Sequence, residues 1–194
     1  MPFDGKSRII QFLASGLNMK ALTAFRLLLL GLWLGAAVFF IGVAQSAFAV
    51  LPTREVAGIL VSRTLAILNY AGIGIAIVAI LTSLIMQAGA NKISLWAERV
   101  LLLIFGIGCI VCQFVISWWM LMLRTQMGRP IDEVPVDDPL RMQFNNLHQY
   151  SSWIMLTAMA AALLAFVLIS MRSAASPAKK NAFDNLDFQN QFKI

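Results

Sequence analysis

An all-α integral membrane four-helix bundle, with antiparallel up-and-down spans, is the fold class this sequence predicts. Two observations carry it. First, four long stretches hold no charge: Leu27 to Thr53, Thr64 to Asn91, Val100 to Leu123 and Met142 to Met171. Each exceeds the roughly 20 apolar residues needed to cross a bilayer core of about 30 Å. Second, 60% of the 194 residues are hydrophobic and only 12% are charged. Soluble domains carry about 25% charged residues, so an ordinary globular core is excluded. The spans leave no room for a separate soluble domain.

The elements follow in order. Residues 1–21 form an N-terminal segment. Its Ile9, Ile10, Phe12, Leu13 and Leu17, set among Lys6, Arg8 and Lys20, suit either a short helix on the membrane surface or a frayed tail. The membrane domain covers 22–171, with spans at about residues 24–51, 62–88, 97–123 and 145–171. Pro52 stops the first span, because proline cannot donate the next helical hydrogen bond. Ala47-Phe48-Ala49 looks like a signal-cleavage site, but the apolar run before it is longer than a signal core, so the first span is retained. Gly89 and Asn91 end the second span, and a short link with Trp96 leads to the third. Trp118 and Trp119 mark the opposite interface. The 124–141 connection carries Pro130, Pro135 and Pro139 and should be irregular. Residues 172–194 turn polar and read as a disordered tail, although Phe183, Leu186, Phe188 and Phe192 offer a docking surface. No internal repeat is evident.

Charge sets the orientation. The net charge of +6 would fit nucleic acid, but its distribution does not. With alternating spans, ten of the fifteen Lys and Arg fall on one side: Lys6, Arg8, Lys20, Arg26, Lys92, Arg99, Arg172, Lys179, Lys180 and Lys193. The positive-inside rule then puts both termini in the cytoplasm; were the chain bacterial, the membrane would be the inner or plasma membrane. The opposite side holds the acidic loop with Asp132, Glu133, Asp137 and Asp138.

Membrane helices associate through small residues, since lipid removes the hydrophobic drive between them. The first span offers Gly31, Gly35, Gly42 and Ala49, the second Gly72, Ala76, Ala79 and Ser83, and the third Gly106, Cys109, Gln113 and Ser117. These are the expected packing faces of a compact bundle.

Polar side chains gather in one half of the bilayer. Gln45, Asn69 and Ser117 each fall about 8–10 Å from the outer end of their span. Gln113 is near mid-depth, and His148, Ser151 and Ser152 open the fourth span. The other half looks nearly bare, with Thr82, Ser83 and Ser170 as exceptions. A polar group facing hydrocarbon is costly, so these groups should face each other or water. Two readings stay open: a polar pocket lined by Gln45, Asn69, Gln113, His148 and Ser152, or interhelical hydrogen bonds of about 0.6 kcal/mol that fix register. The sole histidine tips the balance toward the pocket, because imidazole titrates near neutral pH.

Other chemistry is thinner. His148, Ser152, Met155 and Met159 form one stripe, with Cys109 and Cys112 at similar depth. Imidazole, thioether and thiolate suit a soft ion such as Cu(I), so Cys109, Cys112, Met155, Met159 and His148 are the weak metal candidates. Met and Cys are also ordinary packing residues, which ranks this reading last. Haem attachment lacks its motif, since Cys112 is followed by Gln113. Ser151 and Ser152 lie near His148 without a nucleophile elbow, and no phosphate-binding glycine loop is present. No enzymatic activity and no cofactor are expected. Arg63 and Arg141 sit at the membrane edge, within reach of Asp137 or Asp138.

Val38-Phe39-Phe40 and the run Leu51-Pro52-Thr53-Arg54-Glu55-Val56-Ala57-Gly58 resemble the first hairpin of the transmembrane protein 205-like family, domain-of-unknown-function family 4149. Phe144, Leu147, His148 and Ser151 resemble its F-x-x-L-H-x-x-S signature. The resemblance covers roughly residues 22–171. It implies a four-helix membrane domain without established catalysis, and it singles out His148.

The expected function is therefore non-enzymatic binding or passage of a small solute or ion, by a homo-oligomer. The alternative is an accessory subunit of a larger membrane complex. The lipid bilayer is the one sure partner, and nucleic acid is not expected.

Overall fold

The computed structural model describes residues 19–85 and 92–175. The expectations for the N-terminal segment and the polar tail fall outside them, apart from the helix ends.

Four helices fill the described residues, and no strand occurs among them. Helix α1 is Met19–Val50, α2 is Arg54–Ile85, α3 is Lys92–Met127 and α4 is Pro139–Ala175. All four are long and apolar enough to cross a membrane. Each packs on the next and α4 returns to α1, so the helices form a four-sided ring. One end carries connections 51–53 and 128–138 and is here the loop end. The other carries residues 19 and 175 and is the terminal end.

Capping explains why the helices outrun the apolar stretches. Thr53 is the N-cap of α2, its Oγ1 accepting the Val56 N–H at 3.3 Å. The helix therefore starts eight residues before the apolar core at 62 and leaves only a three-residue turn after α1. Asp138 caps α4, its Oδ1 accepting the Leu140 N–H at 2.8 Å, and Pro139 stands at the first helical position. Gly128 ends α3 with φ 61°, a left-handed conformation that glycine adopts without strain. Between them Ile131–Glu133 makes a single 3-10 turn.

The buried seam of α1 is Thr23, Arg26, Leu30, Trp33, Ala37 and Ala47. This corrects the expected glycine face: Gly35, Gly42 and Ala49 are exposed, and a Cβ at Gly35 or Gly42 would meet nothing within 4 Å. The bulky side chains win because Trp33 has two specific partners. Its Nε1–H donates to the Leu68 carbonyl at 2.9 Å, and its ring meets Phe105 edge-on with centroids 4.6 Å apart. On α2 the expected face does pack, with Gly72, Ala76, Ala79 and Ser83 buried. A Cβ on Gly106 of α3 would come 3.0 Å from that of Ala76. Helix α4 contributes Ala158, Ala161, Ala162, Ala165 and Ile169. This close-packed core lies at mid-depth and toward the terminal end.

Helix α3 is not uniform. Val111–Ile116 forms a π turn, which accommodates one extra residue. Ser117 satisfies the freed Cys112 carbonyl twice, through its N–H and through its Oγ at 2.9 Å. The buried seam of α3 steps by three and four through the turn, Leu95, Glu98, Leu102, Phe105, Cys109, Cys112 and Ile116, and continues at buried Leu123, with Trp119 exposed.

Candidate functional site

Toward the loop end the four helices do not close. They enclose a cavity of about 890 Å³. Gln45 from α1, Gln113 from the π turn, and His148 and Ser152 from α4 all line it. The sequence reading groups these four with Asn69. Asn69 is different. It is fully buried among the core residues, does not line this cavity, and both its amide atoms lack a hydrogen-bond partner. Gln113 Oε1 is also buried without a partner, at the cavity wall. Ser152 Oγ donates to the His148 carbonyl at 3.0 Å within its own helix. The rest of the wall is largely apolar, with Phe40, Leu65, Ile116, Met120, Met155 and Met159.

The seam between α1 and α4 is the most sparsely packed of the four. Ile41 and Gln45 on one side, and Ser152 and Leu156 on the other, line the cavity while remaining exposed. The cavity is thus open sideways along this seam.

A second space of about 490 Å³ adjoins it at the loop end. Phe48, Val61, Ser62, Met120, Arg124 and His148 line both. Its own wall adds Arg54, Arg129 and Arg141, against one carboxylate, Glu55. Half-buried Arg124 lies over the Phe144 ring at 5.2 Å from its centroid, against the bare backbone of Gly58. Arg141 donates from Nη1 to the Val134 carbonyl, and its Nε is buried without a partner. Asp137 and Asp138 do not pair with it.

The weak metal candidates divide between two settings. Met155, Met159 and His148 line the cavity, whereas Cys109 and Cys112 are buried in helix packing. Cys109 Sγ lies 2.7 Å from the position a Cβ on Gly72 would take, and Cys112 Sγ donates to the Ser151 carbonyl at 3.8 Å. Among the described residues no group of three or more His, Cys, Asp or Glu is placed to hold a metal.

The terminal half is not bare, which corrects the sequence reading. Glu98 of α3 is fully buried between two arginines. Arg26 of α1, 1% exposed, pairs through Nη2 with Oε1, and Arg172 of α4 reaches Oε2 with its Nη2 at 2.5 Å. Beside them Arg99 donates from Nη2 to the Ser83 carbonyl at 2.9 Å. The sequence reading counts these arginines only among the charges that set topology. The helices run further than the apolar windows, so the arginines fall inside them and turn inward. The available signal was Glu98, the lone carboxylate anywhere in α3.

A family model described as a domain of unknown function, DUF4149, matches residues 28–129, more than half of the chain. The match includes Gln45, Asn69 and Gln113 and ends before α4. No curated protein and no solved structure matches the chain.

Proposed function

The chain belongs to the DUF4149 family, and from that premise we propose that it binds or passes a small solute through the loop-end cavity. One observation carries the reading: Gln45, Gln113, His148 and Ser152 converge from three helices on a single cavity of about 890 Å³. That size falls within the roughly 300–1,000 Å³ of small-molecule sites. The excess of Lys and Arg at the terminal end supports both termini in the cytoplasm, with the cavity on the opposite side.

Thiol labelling tests it, because the native Cys109 and Cys112 are buried. In proteoliposomes of determined orientation, Ser152→Cys and Gln45→Cys should react with a membrane-impermeant maleimide from the loop-end side. Ala162→Cys, in the core, should not. If neither cavity position labels in folded protein, the pocket reading fails.

A second reading, an accessory subunit of a larger complex, draws on the exposed Gly35, Gly42 and Ala49 of α1, a flat face a partner helix would cover. Gentle isolation followed by native mass spectrometry separates the two: a heteromeric mass supports the subunit, and a homomer counts against it.

A further inference from the structure

We propose that the occupant is an amphiphilic anion, an alkyl chain bearing a carboxylate head. The inference rests on the reading of the cavity as a binding site and names its ligand class.

The two adjoining spaces have opposite chemistry. The smaller is ringed by Arg54, Arg124, Arg129 and Arg141 against Glu55 alone. Arg54 is partly neutralised by Asp132, 3.7 Å away and exposed. Among the described residues Arg124, Arg129 and Arg141 join no ion pair. Two of them are held in place without a carboxylate, Arg124 by the Phe144 ring and Arg141 by the Val134 carbonyl. Half-buried guanidinium groups so arranged lack a counter-charge, and a planar two-oxygen anion fits them best.

The larger space is walled mainly by Phe, Leu, Ile and Met. A free inorganic anion would satisfy the arginines and leave this space empty. A purely apolar molecule would fill it and leave the arginines without a counter-ion. A molecule with a charged head and an apolar tail meets both at once. Arg124 and His148 line both spaces and so stand at the junction of head and tail. The open α1–α4 seam admits a tail from the bilayer without passage through water.

The test is native mass spectrometry of delipidated protein in a nonionic detergent, titrated separately with oleate, oleyl alcohol and inorganic phosphate. One oleate should bind per chain, at least tenfold tighter than oleyl alcohol, with phosphate far weaker than either. Arg124→Gln should cut oleate affinity about tenfold and leave oleyl alcohol unchanged. Arg141→Gln serves the same purpose if Arg124→Gln does not fold. Ser152→Trp, which fills the cavity, should abolish the oleate adduct and so separate it from adventitious detergent-like binding. Equal binding of oleate and oleyl alcohol overturns the anionic head, and phosphate binding as tightly as oleate overturns the tail. No oleate adduct overturns the ligand class altogether. In each of these cases cavity labelling at residue 152 still stands as its own result for the pocket.

Discussion

Arg172 and Glu98 meet across two helices: Nη2 of the first lies 2.5 Å from Oε2 of the second, at a carboxylate with no solvent exposure. Because Arg26 takes the other oxygen, one carboxylate ties together α1, α3 and α4. Charges removed from water need such pairing, and removing one partner leaves the others uncompensated.

Glu98→Ala should therefore cost about 3–5 kcal/mol, since it strands two guanidinium groups. The triple replacement Arg26→Leu, Glu98→Leu, Arg172→Leu should be markedly milder, because no buried charge remains. Thermal unfolding in detergent compares the two. A triple variant less stable than Glu98→Ala would show that the ion triad contributes more than its own desolvation costs.

Two glycines should respond in opposite ways to alanine. At Gly72 a Cβ would come 2.7 Å from Cys109 Sγ and 2.9 Å from Trp33 Nε1. Overpacking of this kind costs about 1–3 kcal/mol. At Gly35 nothing lies within 4 Å, so alanine should be neutral or gain up to about 1 kcal/mol in helix propensity. Equal effects in the same unfolding assay would contradict the placement of the α1 seam.

Asn69→Ala should cost less than about 1 kcal/mol, as the amide it removes makes no hydrogen bond. Maleimide labelling of Ser152→Cys should be unchanged by it. Gln113→Ala, at the cavity wall, should alter the labelling rate instead. An effect of Asn69→Ala on labelling as large as that of Gln113→Ala would place residue 69 functionally in the pocket.

The π turn behaves as an insertion, so a deletion there should be absorbed. Deleting Val115 restores α-helical stepping and keeps Met120 and Leu123 facing inward. Deleting Leu103, in the regular part of α3, turns everything beyond it by about 100° and should prevent folding. Expression of monodisperse protein distinguishes them. If both deletions fail alike, the π turn is not a tolerated extra residue.

The fold was legible because span length and charge depletion are properties of the whole stretch. The cavity was legible in part, since Gln45, Gln113, His148 and Ser152 share a depth that alternating spans must superpose. Faces were harder. In lipid both sides of a helix are apolar, so Gly35 and Gly42 looked like a seam while Leu30, Trp33 and Ala37 were the seam. Asn69 has the right depth and the wrong neighbours. The arginine vestibule depends on the 128–138 turn and on Arg124 lying over Phe144, contacts between residues 20 apart that no periodicity announces. The Glu98 cluster was hidden by its partners' position near helix ends, where arginine is commonplace.

The ion triad also fixes the mechanics of the bundle. It clamps three helices at one end, while the open stretch of the α1–α4 seam, at Gln45 and Ser152, lies toward the other. Any widening of the cavity must then be a splay pivoting on the clamp. Gln45 stands nineteen residues along α1 from Arg26, a lever arm of about 28 Å. A tilt of about 5° about that pivot would part the α1–α4 seam by about 2.5 Å at Gln45 while barely moving the triad.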